Sequence, residues 1–119
     1  MTGTPGNQFI DSLPPQGRGQ LLAQSKAVPL LHGHRVQEQG ARIEHVYFPL
    51  SGIISVLAPM RDGRAVEAAM IGKDGGVGIM AGFGQQVATS LALVQAAGTA
   101  LRSREQRCGV RFYRKNGRG

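Results

Sequence analysis

The chain has 119 residues, of which 29 are Leu, Ile, Val or Phe, 18 are Gly and six are aromatic. That apolar share lies above the disordered range and suffices for the core of one domain, not two, in a turn-rich chain. The net charge of +7 invites a nucleic-acid reading, but residues 1–101 carry seven Lys/Arg against six Asp/Glu, while residues 102–119 carry seven against one, so the basicity belongs to the tail.

Residues 1–7 are polar and Gly/Pro-bearing, a frayed lead-in, and the domain is placed from residue 7, after a flexible 1–6. Phe9, Ile10 and Leu13 suit one helical turn. Ser12 before Leu13-Pro14-Pro15 predicts the entry to a second helix over residues 16–24, because proline is tolerated in a first turn. Leu21 and Leu22 would face inward, and Gly17 and Gly19 each weaken that helix by roughly 1 kcal/mol.

From Lys26 the pattern turns to short β segments. Residues 27–31 predict a strand that His32-Gly33 breaks. Residues 42–50 place Val46, Phe48 and Leu50 at every second position, the period of a half-buried strand, with Pro49 at an edge or end. Residues 53–60 and 64–71 flank Asp62-Gly63, a tight-hairpin signal, and Val66, Ala68 and Met70 alternate with Ala65, Glu67 and Ala69. Residues 72–84 hold six glycines and predict a functional loop. Residues 91–96 and 99–101 follow as two strands around Gly98. At least six short strands with frequent turns indicate an antiparallel sandwich or barrel, and residues 102–119 read as a basic irregular tail.

The chemistry-bearing signals are weak. Gly72-Lys73 is followed by Asp74, which breaks a P-loop, and Gly76-x-Gly78-x-x-Ala81 lacks the acidic residue of a dinucleotide site. Tight turns in a β-roll explain these glycines more simply. His32, His34 and Glu38 match the H-x-H-x-x-x-E run of cupin metal sites, but residue 26 is Lys where glycine is expected and no histidine follows His45. Exposed polar side chains at a turn are the simpler account, and no metal or other cofactor is expected. Cys108 lies in the tail and no serine sits in a G-x-S-x-G elbow, so an enzyme is not expected. No apolar run reaches ~18 residues, no signal-peptide pattern opens the chain, and a lone cysteine fits a reducing compartment. The cytoplasm is the expected location, with no membrane partner.

Taken together, Glu44-His45-Val46-Tyr47-Phe48-Pro49-Leu50-Ser51-Gly52-Ile53-Ile54-Ser55, the Asp62-Gly63 hairpin and Ile71-Gly72-Lys73-Asp74-Gly75-Gly76-Val77-Gly78 resemble the N-terminal sensor domain of Crp–Fnr-type bacterial transcription regulators. The resemblance covers residues 7–102. It implies a mainly β fold, a double-stranded β-helix (a jelly-roll, cyclic-nucleotide-binding-like) with short N-terminal helices, that senses a small effector. Complete family members add a long dimer helix and a helix-turn-helix that reads DNA. Their cyclic-AMP-binding members carry a Gly-Glu pair and an Arg in the phosphate cassette. Here the Glu position is Ile79 and the Arg position falls at about Ser90, with no Lys or Arg between Lys73 and Arg102. Burying a phosphate without a cation costs several kcal/mol, which disfavours cyclic AMP. The effector-pocket candidates are Gly75, Gly76, Gly78, Ile79, Met80, Phe83, Ser90 and Leu91, with Val87 beside them, a lining suited to an apolar or neutral molecule.

Residues 104–119 offer only Val110, Phe112 and Tyr113 as larger apolar residues, too few for the dimer helix. The expectation is a frameshifted or truncated ending without the DNA-binding domain, with dimerisation impaired. DNA contact would then be confined to weak, salt-sensitive binding by the tail. A small basic nucleic-acid-binding protein acting through that tail is the alternative, and a cupin-like metal protein a more remote one.

Overall fold

The computed structural model describes residues 6–79 and 86–104. Two short helices, α1 (Gln8–Asp11) and α2 (Pro15–Ala23), precede seven strands: β1 (Lys26–Leu30), β2 (Arg35–Gln37), β3 (His45–Pro49), β4 (Ile53–Pro59), β5 (Ala65–Ile71), β6 (Leu91–Ala96) and β7 (Gly98–Arg104). Ser12 does not open α2. It closes α1, its Oγ donating to the Phe9 carbonyl at 2.7 Å, and α2 starts behind Pro14 with no side-chain cap. Among the described residues no helix is long and apolar enough to cross a membrane.

All strand pairs are antiparallel. A three-stranded sheet runs β1-β7-β3 and a four-stranded sheet runs β2-β6-β4-β5. The chain therefore switches sheets at each of the first three connections, as a jelly-roll requires. β7 lies between β1 and β3, pairing Lys26 with Arg102 on one side and Tyr47 with Arg102 on the other.

Two apolar layers follow from the strand alternation. Leu30 and Ala100 of the first sheet meet Ile54, Ala92 and Val94 of the second, joined by Val77, to form the roll interior. On the other side of β3, Val46 and Phe48 pack against Ile10 and Leu21 of the helices. Phe48 is fully buried and stacks on Phe9 with ring centroids 5.7 Å apart. Burial of such a ring contributes about 1.5–3 kcal/mol.

The β4–β5 hairpin forms where Asp62-Gly63 predicts it, by a different turn. Met60 N–H donates to the Arg64 carbonyl at 2.7 Å and Gly63 N–H to the Met60 carbonyl at 3.1 Å, which makes a three-residue loop. Within this loop only Gly63 takes a positive φ, of 89°, the pattern of a type I turn closed by a left-handed residue. The alternation along β5 does not translate into burial. As an edge strand it leaves Ala65 to Met70 exposed on both faces.

Strand β7 runs further than the sequence suggests. It continues through Arg102, Ser103 and Arg104, three residues into the segment expected to be irregular. The rest of the basic tail, with Cys108, lies outside the described residues.

Candidate functional site

The glycine-rich turn is built as a clasp. Asn7, expected in the frayed lead-in, is fully buried. Its Nδ2 donates to the Pro49 carbonyl at 2.8 Å and the Gly75 carbonyl at 2.9 Å, while its Oδ1 accepts from Ile10 N–H at 3.1 Å. One side chain thus caps α1 and ties it to both β3 and the turn. Gln8 N–H adds a bond to the Lys73 carbonyl at 2.6 Å. Asp74 Oδ1 accepts from Gly72 N–H at 3.1 Å, which closes the turn from within.

Backbone proximity explains the glycines themselves. Val77 and Tyr47 exchange two bonds, Val77 N–H to the Tyr47 carbonyl at 2.8 Å and Tyr47 N–H to the Val77 carbonyl at 2.9 Å. This holds the turn flat against β3. A Cβ on Gly76 would stand 2.9 Å from Phe48 Cδ1, and one on Gly78 would stand 2.8 Å from the His45 carbonyl oxygen. Gly78 also has φ +93°, a conformation that side chains rarely adopt.

The sequence candidates fall into two groups. Gly75, Gly76, Gly78 and Ile79 lie along β3, and Ile79 packs against the helix-side cluster of Ile10, Leu21, Val46 and Phe48, not in the roll interior. Ser90 and Leu91 belong to the other sheet: Gln37 Nε2 donates to the Ser90 carbonyl at 3.1 Å, and Leu91 pairs with Leu57. Met80 and Phe83 lie outside the described residues. The two described flanks of that segment meet the same residue. Ile43 Cγ2 approaches the Cβ position of Gly78 at 3.5 Å, and Ile43 N–H donates to the Gln86 carbonyl at 2.8 Å.

Beside Ile43 opens a cavity of about 130 Å³ lined by Val36, Gln37, Glu38, Arg42, Ile43, Glu44 and His45. These residues come from β2, the start of β3 and the connection between them, and no sequence motif marks them as a group. Burial, then the charge of Arg102, lowers the His45 pKa from its ordinary value; Glu44 pulls the other way, and Arg104 adds to the lowering.

The cupin-like metal set is not assembled. His32 and His34 are exposed, and Glu38 pairs with Arg35 at 3.3 Å. Among the described residues no group of three His, Cys, Asp or Glu side chains stands close enough to share a metal ion.

No protein-family model matches the chain, and no curated protein matches it by sequence. Solved structures do match it. The regulatory subunit of a cAMP-independent protein kinase A from Trypanosoma brucei superposes with a TM-score of 0.78 at 16% identity, over 94% of this chain and 42% of that one. The chain therefore spans less than half of that subunit. The sensor domain of the transcriptional regulator DNR from Pseudomonas aeruginosa gives 0.73 at 19% identity, over 93% and 74%. A cyclic nucleotide-binding-like protein from Brucella abortus gives 0.67 at 19% identity, over 89% and 87%. Identities this low speak for shape alone, and the shape is unambiguous: this chain has the double-stranded β-helix fold of cyclic-nucleotide-binding-like sensor domains.

Proposed function

We propose that the chain is the effector-sensing domain of a Crp–Fnr-type transcription regulator, acting in the cytoplasm and without catalytic activity, and that its effector is not cyclic AMP. The fold shared with the sensor domain of a Pseudomonas regulator supports the first part. The observation that carries the second is the placement of Ile79. At the position where the resemblance calls for a ribose-binding carboxylate stands a partly buried apolar side chain, packed against the helix-side cluster. With no Lys or Arg between Lys73 and Arg102, the turn also lacks a cation in sequence reach for a buried phosphate.

The effector is then a small neutral or apolar molecule taken up beside the glycine turn and the start of β6. The residues in question are Gly75, Gly76, Gly78 and Ile79, then Ser90 and Leu91, with Met80 and Phe83 from the intervening sequence. DNA reading belongs to the separate domain that complete regulators carry. Isothermal titration of the full chain with cyclic AMP tests the reading. No saturable heat is expected at millimolar nucleotide, and saturable binding in the micromolar range overturns it.

A further inference from the structure

The three-stranded sheet carries a row of side chains that its apolar layers do not use. Directly opposed residues of antiparallel strands point to the same face. Lys26 opposes Arg102, Arg102 opposes Tyr47 on its other side, and Arg104 opposes His45. Val28, Tyr47 and Ala100 pack toward the roll interior. By alternation Lys26, Arg102, Arg104 and His45 share that inner face, just past the last apolar layer. The His45 and Tyr47 rings meet edge-on at 6.4 Å, as neighbours on one face do.

These charges are not compensated within the described residues. The ion pairs there are Arg35 with Glu38 and Arg64 with Asp62. Lys26, Arg102 and Arg104 take part in neither, although Arg102 is half-buried. Like charges set directly opposite each other destabilise a sheet. Burial is the main cause of the lowered His45 pKa, and Arg102 and, less strongly, Arg104 add to it. Glu38 and Glu44 line the cavity that His45 also walls, and Glu38 is paired with Arg35.

We propose that Lys26, Arg102 and Arg104, with His45 at the rim, bind a small molecule bearing one or two phosphoryl groups, at a site separate from the glycine turn. Strand spacing sets Lys26 about 5 Å from Arg102, and Arg104 about 7 Å further along the strand. These are backbone spacings, short enough for the three long side chains to converge on one or two phosphoryl groups. Guanidinium forks take two oxygens each, and the ammonium supplies a point charge. Arg102 is half-buried between the exposed Lys26 and Arg104, a depth that the phosphoryl group of a small molecule reaches more readily than the backbone of a nucleic-acid duplex. A bound anion also relieves the repulsion between Lys26 and Arg102, so ligand and fold stabilise each other. The site stands whether or not the sensing role above does.

Thermal unfolding of the full chain in inorganic pyrophosphate, against NaCl at matched ionic strength, tests it. A saturable rise in Tm is expected with pyrophosphate and not with NaCl. The double variant K26Q/R102Q should bind at least about tenfold more weakly, whereas R107Q/R111Q, which alters only the tail, should match the wild type. K26Q alone, at an exposed position, gives the same readout should the double variant not fold. No rise beyond that in NaCl overturns the site. So does a rise that K26Q/R102Q or K26Q retains in full, or one that R107Q/R111Q abolishes.

Discussion

Replacing Asn7 with alanine removes three hydrogen bonds from a side chain with no solvent exposure. Loss of the cap on α1 costs about 1 kcal/mol. Leaving the Pro49 and Gly75 carbonyls without this donor costs about 1 kcal/mol each at the low end. The sum is about 3 kcal/mol, a large part of the roughly 5–15 kcal/mol that holds a domain together. For a domain of this size that lowers Tm by about 12 °C or more. Asn7→Asp separates the two contributions. Aspartate caps a helix as well as asparagine does, but it cannot donate, and its carboxylate would face two buried carbonyl oxygens. The structure therefore predicts that Asn7→Asp is at least as damaging as Asn7→Ala at pH 7, measured by urea or thermal unfolding followed by circular dichroism. Wild-type stability in Asn7→Asp, or a loss below about 0.5 kcal/mol in Asn7→Ala, refutes the clasp, because either is far smaller than a lost buried bond.

Three further outcomes follow from the same geometry. Gly76→Ala, whose methyl would meet the Phe48 ring at 2.9 Å, should cost about 1–3 kcal/mol, and Phe48→Leu in the same chain should recover part of that in urea unfolding. Gly63→Ala has open space but a φ of +89°, so its cost in the same assay should be about 1 kcal/mol and purely conformational. Because burial and the nearby Arg102 hold the His45 pKa below its ordinary value near 6.5, its contribution to stability is present above pH 6.5 and lost as pH falls through the lowered pKa. His45→Gln should flatten that acid-side decline in Tm measured across pH 4–7.

The hairpin and β6 are legible from sequence because each rests on local signals: Asp62-Gly63 for the turn, and the apolar run Leu91–Ala96 for the strand. β2 is not, since Arg35–Gln37 offers a single apolar residue and owes its conformation to pairing with β6. β7 extends through two arginines for a related reason. Backbone pairing with β1 and β3 is indifferent to side-chain charge, so a basic composition does not end a central strand. Asn7 carries no periodic signal, and its partners lie 42 and 68 residues away. The glycines of the turn were visible, but what they approach was not. Phe48 and the His45 carbonyl come next to them only once β3 is in place.

The position of β7 has a consequence for how the chain becomes structured. Among the described strands β1 and β3 pair only with β7, and β7 is the last of them in chain order. Until Gly98–Arg104 is available, the first sheet cannot exist, and Val46 and Phe48 have no ordered surface on which to meet the helices. The β4–β5 hairpin and its pairing with β6 can form earlier from nearer contacts. The expected order of assembly is therefore the second sheet before the first, checked by pulse-labelled hydrogen exchange during refolding. Pairings some seventy residues apart set the pace, as they do in slowly folding all-β domains.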